Sequence, residues 1–463
     1  MPDFPSEQAV QLACRRAAEA APILRQASPE TIASLLETIA DKLAAKESEI
    51  VPLAVEESHL PTARLTGELG RTTGQLRMFA KDVRAGAWTD KRTVEALPDR
   101  QPLPRPKLER FMIPVGPVAI FGASNFPLAF SVPGGDTASA LAAGCPVVAK
   151  AHPAHPKLSQ LVGDIISEAV KEAGLPVGTF QLEAGDAAVG EALVQDPNIK
   201  GVGFTGSQRV GRHLMDLAAA RPNPIPVFAE MGSINPVFAL PGALTEKAQQ
   251  WGSGYAQSVL LGVGQFCTNP GVVFGIAGDE WEAFCGEVTT RMMQSIAGPM
   301  LTDAIGAAYC ANAAVMNEQP GVDAQLEPGE PGQAGLARVS FKDFIANPKL
   351  QEEVFGPFCL LVTAESFDEL LTLFPQLHGQ LTGTILHGPG DEALVKVLAP
   401  AIESKVGRIV FNGFPTGVEV CEGMQHGGPY PATSDVRFTS VGNHAILRWL
   451  RPISYQNAPD YLM

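Results

Sequence analysis

The sequence predicts an α/β protein with a parallel, doubly wound sheet, followed by a second α/β unit. Three observations carry this. Short apolar runs alternate with helical stretches between residues 115 and 220. A turn, Thr205-Gly206-Ser207, joins one such run to a helix, where unpaired N–H groups and a hydroxyl can meet a phosphate. The chain has 463 residues, 45% hydrophobic and 18% charged, without low-complexity sequence, and so can bury more than one core.

Residues 7 to 85 read as helices. Ala9, Leu12, Ala13 and Arg16 keep helical spacing, and Ser28-Pro29-Glu30 is an N-cap with proline in the first turn. Leu35, Ile39 and Leu43 continue the pattern, and Thr72 to Val83 forms a further helix. Arg64, Glu68 and Arg71 lie near helical spacing, which by itself favours a solvated face with Glu68 paired to an arginine. The proline-rich stretch from 95 to 114 suits an exposed connecting arm.

Strands are expected at 115–121, 146–150, 179–182 and 199–205, with helices at 137–143, 158–173, 187–195 and 207–220. Gly201, Gly203 and Gly206 match G-x-G-x-x-G, but the first two fall inside the strand, which weakens that match as a dinucleotide fingerprint. A second unit follows, with helices at 244–262 and 280–297 and strands at 271–276, 358–363, 383–387 and 407–411. Pro320 to Gly335 reads as a surface excursion. The terminal stretch Ile446 to Tyr455 is apolar and β-prone, suited to pairing at an edge or on a neighbour.

The net charge of -15 argues against nucleic-acid or anionic-membrane binding, so an anionic cofactor would need a local basic pocket. The first residues lack a basic then apolar leader and no run of eighteen apolar residues occurs, the pattern expected of a soluble cytoplasmic protein. Seven scattered cysteines without a C-x-x-C pair, and eight dispersed histidines, suggest neither a disulfide framework nor a metal site.

One cysteine stands apart. Cys267 lies between the apolar run Ser258 to Val263 and the turn Asn269-Pro270-Gly271, where a helix meets a loop. A cysteine is a nucleophile as thiolate, which calls for an accessible, electropositive or dipole-favoured place; a small buried hydrophobe is the plainer role for a lone cysteine.

Read together, Asn125-Phe-Pro127, Lys150, Phe204-Thr-Gly-Ser207 with Val210-Gly211, Glu230-Met-Gly232, Gly264-Gln-Phe-Cys267-Thr and Glu353-Val-Phe-Gly-Pro357 resemble, in order and over nearly the whole chain, the aldehyde dehydrogenase superfamily. The resemblance implies a Rossmann-type dinucleotide-binding domain (1–97 and 115–230), a catalytic domain (231–430) and an oligomerisation element (98–114 and 431–463) serving a homodimer or homotetramer. It implies Cys267 as nucleophile, Asn125 as oxyanion donor beside the Cys267 N–H, and Glu230 as the base that activates water against the thioester. Phe228, Ala229, Met231 and Gly232 flank Glu230, an apolar setting expected to raise its pKa. Lys150, Gly206, Ser207, Arg209 and Gly211 would serve the cofactor, with Glu353 and Phe355 at its nicotinamide end.

Three departures from the family pattern stand out. Pro153 occupies a position where NAD-using members often carry a ribose-binding Glu; its absence, with His152, His155, Lys157 and Arg209 nearby, favours NADP, with NAD as the alternative. Ala123-Ser124 replaces a common Trp, and Ser233 a glycine. Together with Arg64 to Gln75, Asn412 to Val420 and Gly427 to Thr433, these look like α-ketoglutaric semialdehyde (2,5-dioxopentanoate) dehydrogenases; long-chain aldehyde dehydrogenases look similar too. A dicarboxylic semialdehyde needs a cation for its far carboxylate, for which Arg71, then Arg64, are the candidates. A CoA-acylating relative has no need of Glu230, and a silent binding protein no need of Cys267, Asn125 and Glu230 together.

Overall fold

The computed structural model describes residues 7–245, 247–459 and 461. Four helices open the chain: α1 (Glu7–Gln26), α2 (Pro29–Ala45), α3 (Glu47–Ser58) and α4 (Thr62–Ala85). Ser28 caps α2, its Oγ accepting from Thr31 N at 3.1 Å with Pro29 in the first turn. Ile32, Leu36, Ile39 and Leu43 recur at helical spacing and are buried against Leu65, Leu69, Leu76 and Phe79 of α4. Helix α4 is longer than expected, taking in the polar stretch from Arg64 to Arg71.

The short strands β1 (Arg92–Val94) and β2 (Leu108–Pro114) come next, followed by a five-stranded sheet of β3 (Val118–Phe121), β4 (Val147–Lys150), β5 (Phe180–Glu183), β6 (Gly201–Thr205) and β7 (Val227–Glu230). Its order is β5-β4-β3-β6-β7 and every pairing is parallel. The chain winds outward from β3 and returns beside it as β6, so the switch point lies between β3 and β6, where the carboxyl ends open a crevice. The crossover helices are Gly135–Ala142, Pro156–Glu172, Ala187–Gln195 and Gln208–Ala219.

The second sheet has seven strands: β8 (Val237–Ala239), β9 (Val272–Ile276), β10 (Asp323–Leu326), β11 (Gly335–Ser340), β12 (Phe358–Ala364), β13 (Thr382–Leu386) and β14 (Arg408–Phe411). They lie in the order β10-β11-β12-β9-β8-β13-β14, parallel except for β10 against β11. Both sheets bear out the expected α/β class. No helix among the described residues is long and apolar enough to cross a membrane.

The stretch from 95 to 114 departs from the exposed arm read in the sequence. Its first part is exposed, but from Leu108 it becomes a strand whose Glu109 and Ile113 are buried. The partner is β15 (Leu450–Gln456), antiparallel to β2 from Leu450↔Pro114 to Gln456↔Leu108. Prolines 98 to 106 mask this strand in the sequence because they precede it.

Candidate active site

Cys267 lies in a turn three residues beyond the 3-10 segment Leu261–Gly264, which closes helix Ala248–Leu260. Gly262, Val263 and Gly264 all adopt positive φ (59°, 57° and 64°), a left-handed run that swings the chain sharply before the cysteine. For the β-branched Val263 this is a strained conformation. Behind the turn, buried Asn235 donates from Nδ2 to the carbonyls of Cys267 and Asn269, each at 2.9 Å. Ser233 Oγ and Thr382 Oγ1 donate to Asn235 Oδ1 at 2.9 and 3.0 Å. Ser233 is thus part of the support of the turn.

Glu230 ends β7. The late segment from 426 to 440 returns beside it: Met231 N donates to Ala432 O at 2.8 Å and Ser434 N to Ala229 O at 3.0 Å. This return brings His426 Nε2 to 2.9 Å from Glu230 Oε1, while Ser440 Oγ donates to Glu230 Oε2 at 2.6 Å. The same His426 Nε2 stands 3.6 Å from Cys267 Sγ. The side-chain donor atoms of Glu230, Cys267 and His426 all lie within 4.8 Å of one another, with Glu230 and His426 buried and Cys267 half-buried.

These neighbours overturn one electrostatic expectation from the sequence. Burial does push the Glu230 carboxyl up, but the charge and hydrogen bond of His426 with the Ser440 hydroxyl outweigh it, and the net direction is down. The Cys267 thiol is pushed well above its ordinary value, by burial first and by the Glu230 carboxylate second, with Arg71 opposing. Its surroundings are therefore not the electropositive ones that a resting thiolate would want.

Asn125 is buried in the loop after β3; its Nδ2 donates to Gln265 O at 3.0 Å, which leaves the second N–H hydrogen for another acceptor. Its carbonyl accepts from Arg64 Nη2 at 2.5 Å. Arg64, Glu68 and Arg71 do share one face of α4, but that face packs inward, against the loop that carries Asn125. Glu68 is not on a solvated surface: it is buried and accepts from Leu128 N and Ala129 N at 2.8 and 2.9 Å. The Arg64 guanidinium stacks on Phe126 and Phe266 (4.8 and 4.7 Å), and that of Arg71 on Phe130 and Phe126 (5.2 and 5.7 Å). Arg64 Nη1 and Arg71 Nε and Nη2 are buried without a hydrogen-bond partner among the described residues.

A cleft of about 1360 Å³ runs from the carboxyl ends of β4 and β6 to the cysteine, lined by Lys150, Pro153, Gly206, Ser207, Arg209, Glu353, Phe355, Asn125, Glu230 and Cys267. Lys150 Nζ donates to Gly185 O at 2.8 Å, and Ser207 caps helix Gln208–Ala219 at the cleft wall. Glu353 lies over Gly232, where a Cβ would come within 2.6 Å of its Oε2, and burial raises its carboxyl to about 8. The length of this cleft and the helix N-terminus on its wall fit a dinucleotide.

Gly211 is not among the lining residues; a Cβ there would meet Met231 Sδ at 2.7 Å, so this glycine serves helix-to-strand packing. His152 and His155 also differ from the sequence reading. They stack on each other at 5.2 Å, and burial lowers both, His152 to about 3, so neither brings positive charge. Lys157 pairs with Glu56 at 2.9 Å. Sequence reasoning missed His426, Ser440 and Asn235. The only signal for His426 was its place directly before Gly427-Gly428-Pro429.

The aldehyde dehydrogenase family model matches residues 4–318. Alpha-ketoglutaric semialdehyde dehydrogenase 2 of Azospirillum brasilense is 47% identical over 461 residues, covering 98% of this chain and 88% of that protein. Alpha-ketoglutaric semialdehyde dehydrogenase of Acinetobacter baylyi is 43% identical over 448 residues, covering 93% and 83%. Among solved structures, a 1-pyrroline-5-carboxylate dehydrogenase from Thermus with bound NAD superposes with a TM-score of 0.82 at 19% identity, over 98% of this chain and 86% of that one. An E. coli NADP dependent enzyme gives 0.81 at 22%, over 98% and 91%. At those identities the structural likeness is one of fold; the family match and the two closer sequences carry the assignment, and the chain belongs to the aldehyde dehydrogenase family.

Proposed function

We propose that this enzyme oxidises 2,5-dioxopentanoate to 2-oxoglutarate through covalent chemistry at Cys267, with NADP preferred over NAD. The observation that carries the substrate is the pair Arg64 and Arg71: Arg64 Nη1 and Arg71 Nε and Nη2 are buried without a partner among the described residues, and the guanidinium planes rest on Phe126, Phe130 and Phe266 next to Cys267. An unpaired buried guanidinium is costly, and a carboxylate presented on a short chain would satisfy it. A fatty aldehyde would leave these donors orphaned and would want an apolar tunnel. The names of the two similar sequences agree with this reading.

A nicotinamide dinucleotide bound in the cleft supplies the hydride acceptor. The chain does the rest. Cys267 Sγ attacks the aldehyde carbon, and the free Asn125 N–H with the Cys267 N–H holds the oxyanion. Once the thioester has formed, Glu230 takes a proton from the attacking water, a role for which its retained negative charge suits it. A base at this position has no task in transfer to CoA. The preference for NADP rests on Pro153, exposed at the cleft mouth where a carboxylate would repel a 2′-phosphate, and on exposed Arg209 lining the same cleft.

Self-association through the β1-β2-β15 sheet belongs to the same reading, because Val94, Leu97 and Leu103 are exposed on and beside it. The test of the substrate is Arg71→Met, assayed with NADP on 2,5-dioxopentanoate and on an uncharged aldehyde of similar length. KM for the charged substrate should rise at least tenfold, the order expected for losing a charge-assisted pair of about 1.5–3 kcal/mol, with the uncharged aldehyde little changed. Equal effects on both would reduce Arg71 to a structural residue.

A further inference from the structure

We propose that Glu230, Cys267 and His426 form a site for a zinc ion, which silences the enzyme reversibly by occupying its thiol and its carboxylate together. The binding does not depend on which aldehyde is oxidised; only the silencing rests on the roles given above to Cys267 and Glu230. Among the described residues, these form the only group of three or more histidine, cysteine or carboxylate side chains whose donor atoms converge, all within 4.8 Å of one another. The sequence shows only dispersed cysteines and histidines. The return of residues 426 to 440 beside β7 is what joins them.

Tetrahedral zinc holds imidazole nitrogen at about 2.0–2.1 Å, carboxylate oxygen at about 2.0–2.2 Å and thiolate sulfur at about 2.3 Å. These lengths set edges of about 3.6 Å from nitrogen to sulfur and about 3.4 Å from nitrogen to oxygen. His426 Nε2 is 3.6 Å from Cys267 Sγ and 2.9 Å from Glu230 Oε1. The first edge is already in place, and the second opens by about half an ångström. Water from the cleft that Glu230 and Cys267 line takes the fourth position. Thiolate and imidazole are ligands that select zinc over magnesium or calcium.

The charges balance. The carboxylate and the thiolate bring one negative charge each, so with a neutral imidazole the buried complex is neutral. The thiol proton leaves to solvent as the metal–sulfur bond forms, and the ring carries its N–H on Nδ1, which leaves the Nε2 lone pair for the ion. Glu353 also favours a cation at the sulfur, and the Arg71 and Arg408 guanidinium groups oppose one.

Each ligand is held from behind. Ser440 Oγ donates to Glu230 Oε2 at 2.6 Å, and Asn235 Nδ2 to the Cys267 carbonyl at 2.9 Å. His426 is fixed at both ends of its backbone, His426 N donating to Thr439 Oγ1 and Ser440 N to His426 O, each at 2.9 Å, and Phe130 packs against its ring. Contacts of this kind orient the ligands of metal centres. A bound ion takes the sulfur pair needed for the C–S bond and the carboxylate needed to activate water, so one event stops both halves of the reaction.

Cobalt(II) reports the coordination directly, without aldehyde or nicotinamide. The metal-free full chain, titrated with cobalt(II) chloride, should take up one ion with the intense visible bands of a tetrahedral centre and a near-ultraviolet thiolate-to-cobalt band. Zinc chloride should displace it. The thiolate band should vanish in Cys267→Ser and persist in Cys421→Ser, which removes the exposed thiol. His426→Phe, which keeps a ring against Phe130, and Glu230→Gln should each weaken zinc binding by about tenfold or more, since even an outer-shell change costs a metal site that much. Zinc should also block alkylation of Cys267 by iodoacetamide, followed by mass spectrometry, and a chelator should restore both alkylation and turnover.

An octahedral, thiolate-free cobalt spectrum in the wild type would overturn the proposal. So would a thiolate band that survives Cys267→Ser, which puts the ion on another cysteine, or zinc affinity unchanged in both His426→Phe and Glu230→Gln, which reduces the site to a lone thiol. Cys267→Ser exchanges a single atom, so its result stands even where the His426 ring is needed for folding. Zinc bound at Cys267 with turnover retained would overturn the silencing. The spectra need no turnover, so failure here is separate from failure of the substrate reading, which the Arg71→Met comparison decides.

Discussion

Glu230 shows how far a residue's surroundings in sequence can mislead about its charge. Phe228, Ala229, Met231 and Gly232 predict a raised carboxyl, and burial does act in that direction. The reversal comes from His426 and Ser440, which lie 196 and 210 residues away and carry no local mark of their role. Asn125, Glu230 and Cys267 were legible because each stands in a short run whose neighbours are dictated by the same chemistry. Glu230→Gln should still release about one reduced cofactor per active subunit in a burst, and then turn over roughly 10²–10⁴-fold more slowly as the thioester accumulates. Stopped-flow absorbance at the reduced nicotinamide band measures both phases. A missing burst would move Glu230 to the steps before hydride departure.

Among the elements, the turn from Leu261 to Cys267 is the most demanding. A left-handed run cannot be read from Gly262-Val-Gly264 alone, since Val263 argues against it; only the packing around the turn imposes it. Gly264 meets both a conformational and a steric demand, with φ at +64° and a would-be Cβ 2.2 Å from the Gly356 carbonyl carbon and oxygen. Gly264→Ala should therefore cost at least about 1–2 kcal/mol from the backbone alone. It should lower the melting temperature in calorimetry and slow Cys267 alkylation together, because the same turn aims the thiol. A variant with wild-type melting temperature and reactivity would show that the turn relaxes freely. Eight of the parallel strands, by contrast, were legible to within about three residues, since runs such as Pro146 to Lys150 are apolar on both faces, whereas β7, β8 and β11 were not read as strands. β2 was hidden because its alternation is mixed and its neighbours in sequence are prolines.

At the scale of the molecule there are three sheets among the described residues, and the smallest pairs β2, from the first quarter of the chain, with β15, more than three hundred residues later. Val94 in this sheet and Leu97 and Leu103 in the connection beside it are exposed at 39%, 42% and 69%, apolar surface that association would cover. Val94→Glu combined with Leu103→Glu should shift the species seen by light scattering toward monomer while the melting temperature at low protein concentration changes little. An unchanged molar mass would place any self-association elsewhere. The return of residues 426 to 440 beside β7 has a consequence for how this protein comes into being. A ribosome delivers Glu230 and then Cys267 long before His426 and Ser440, so the growing chain carries the thiol and the carboxylate through most of their synthesis without the groups that complete them. The hydrogen-bonded setting of the Glu230 carboxylate is therefore complete only once residues 426 to 440 have been made and laid down.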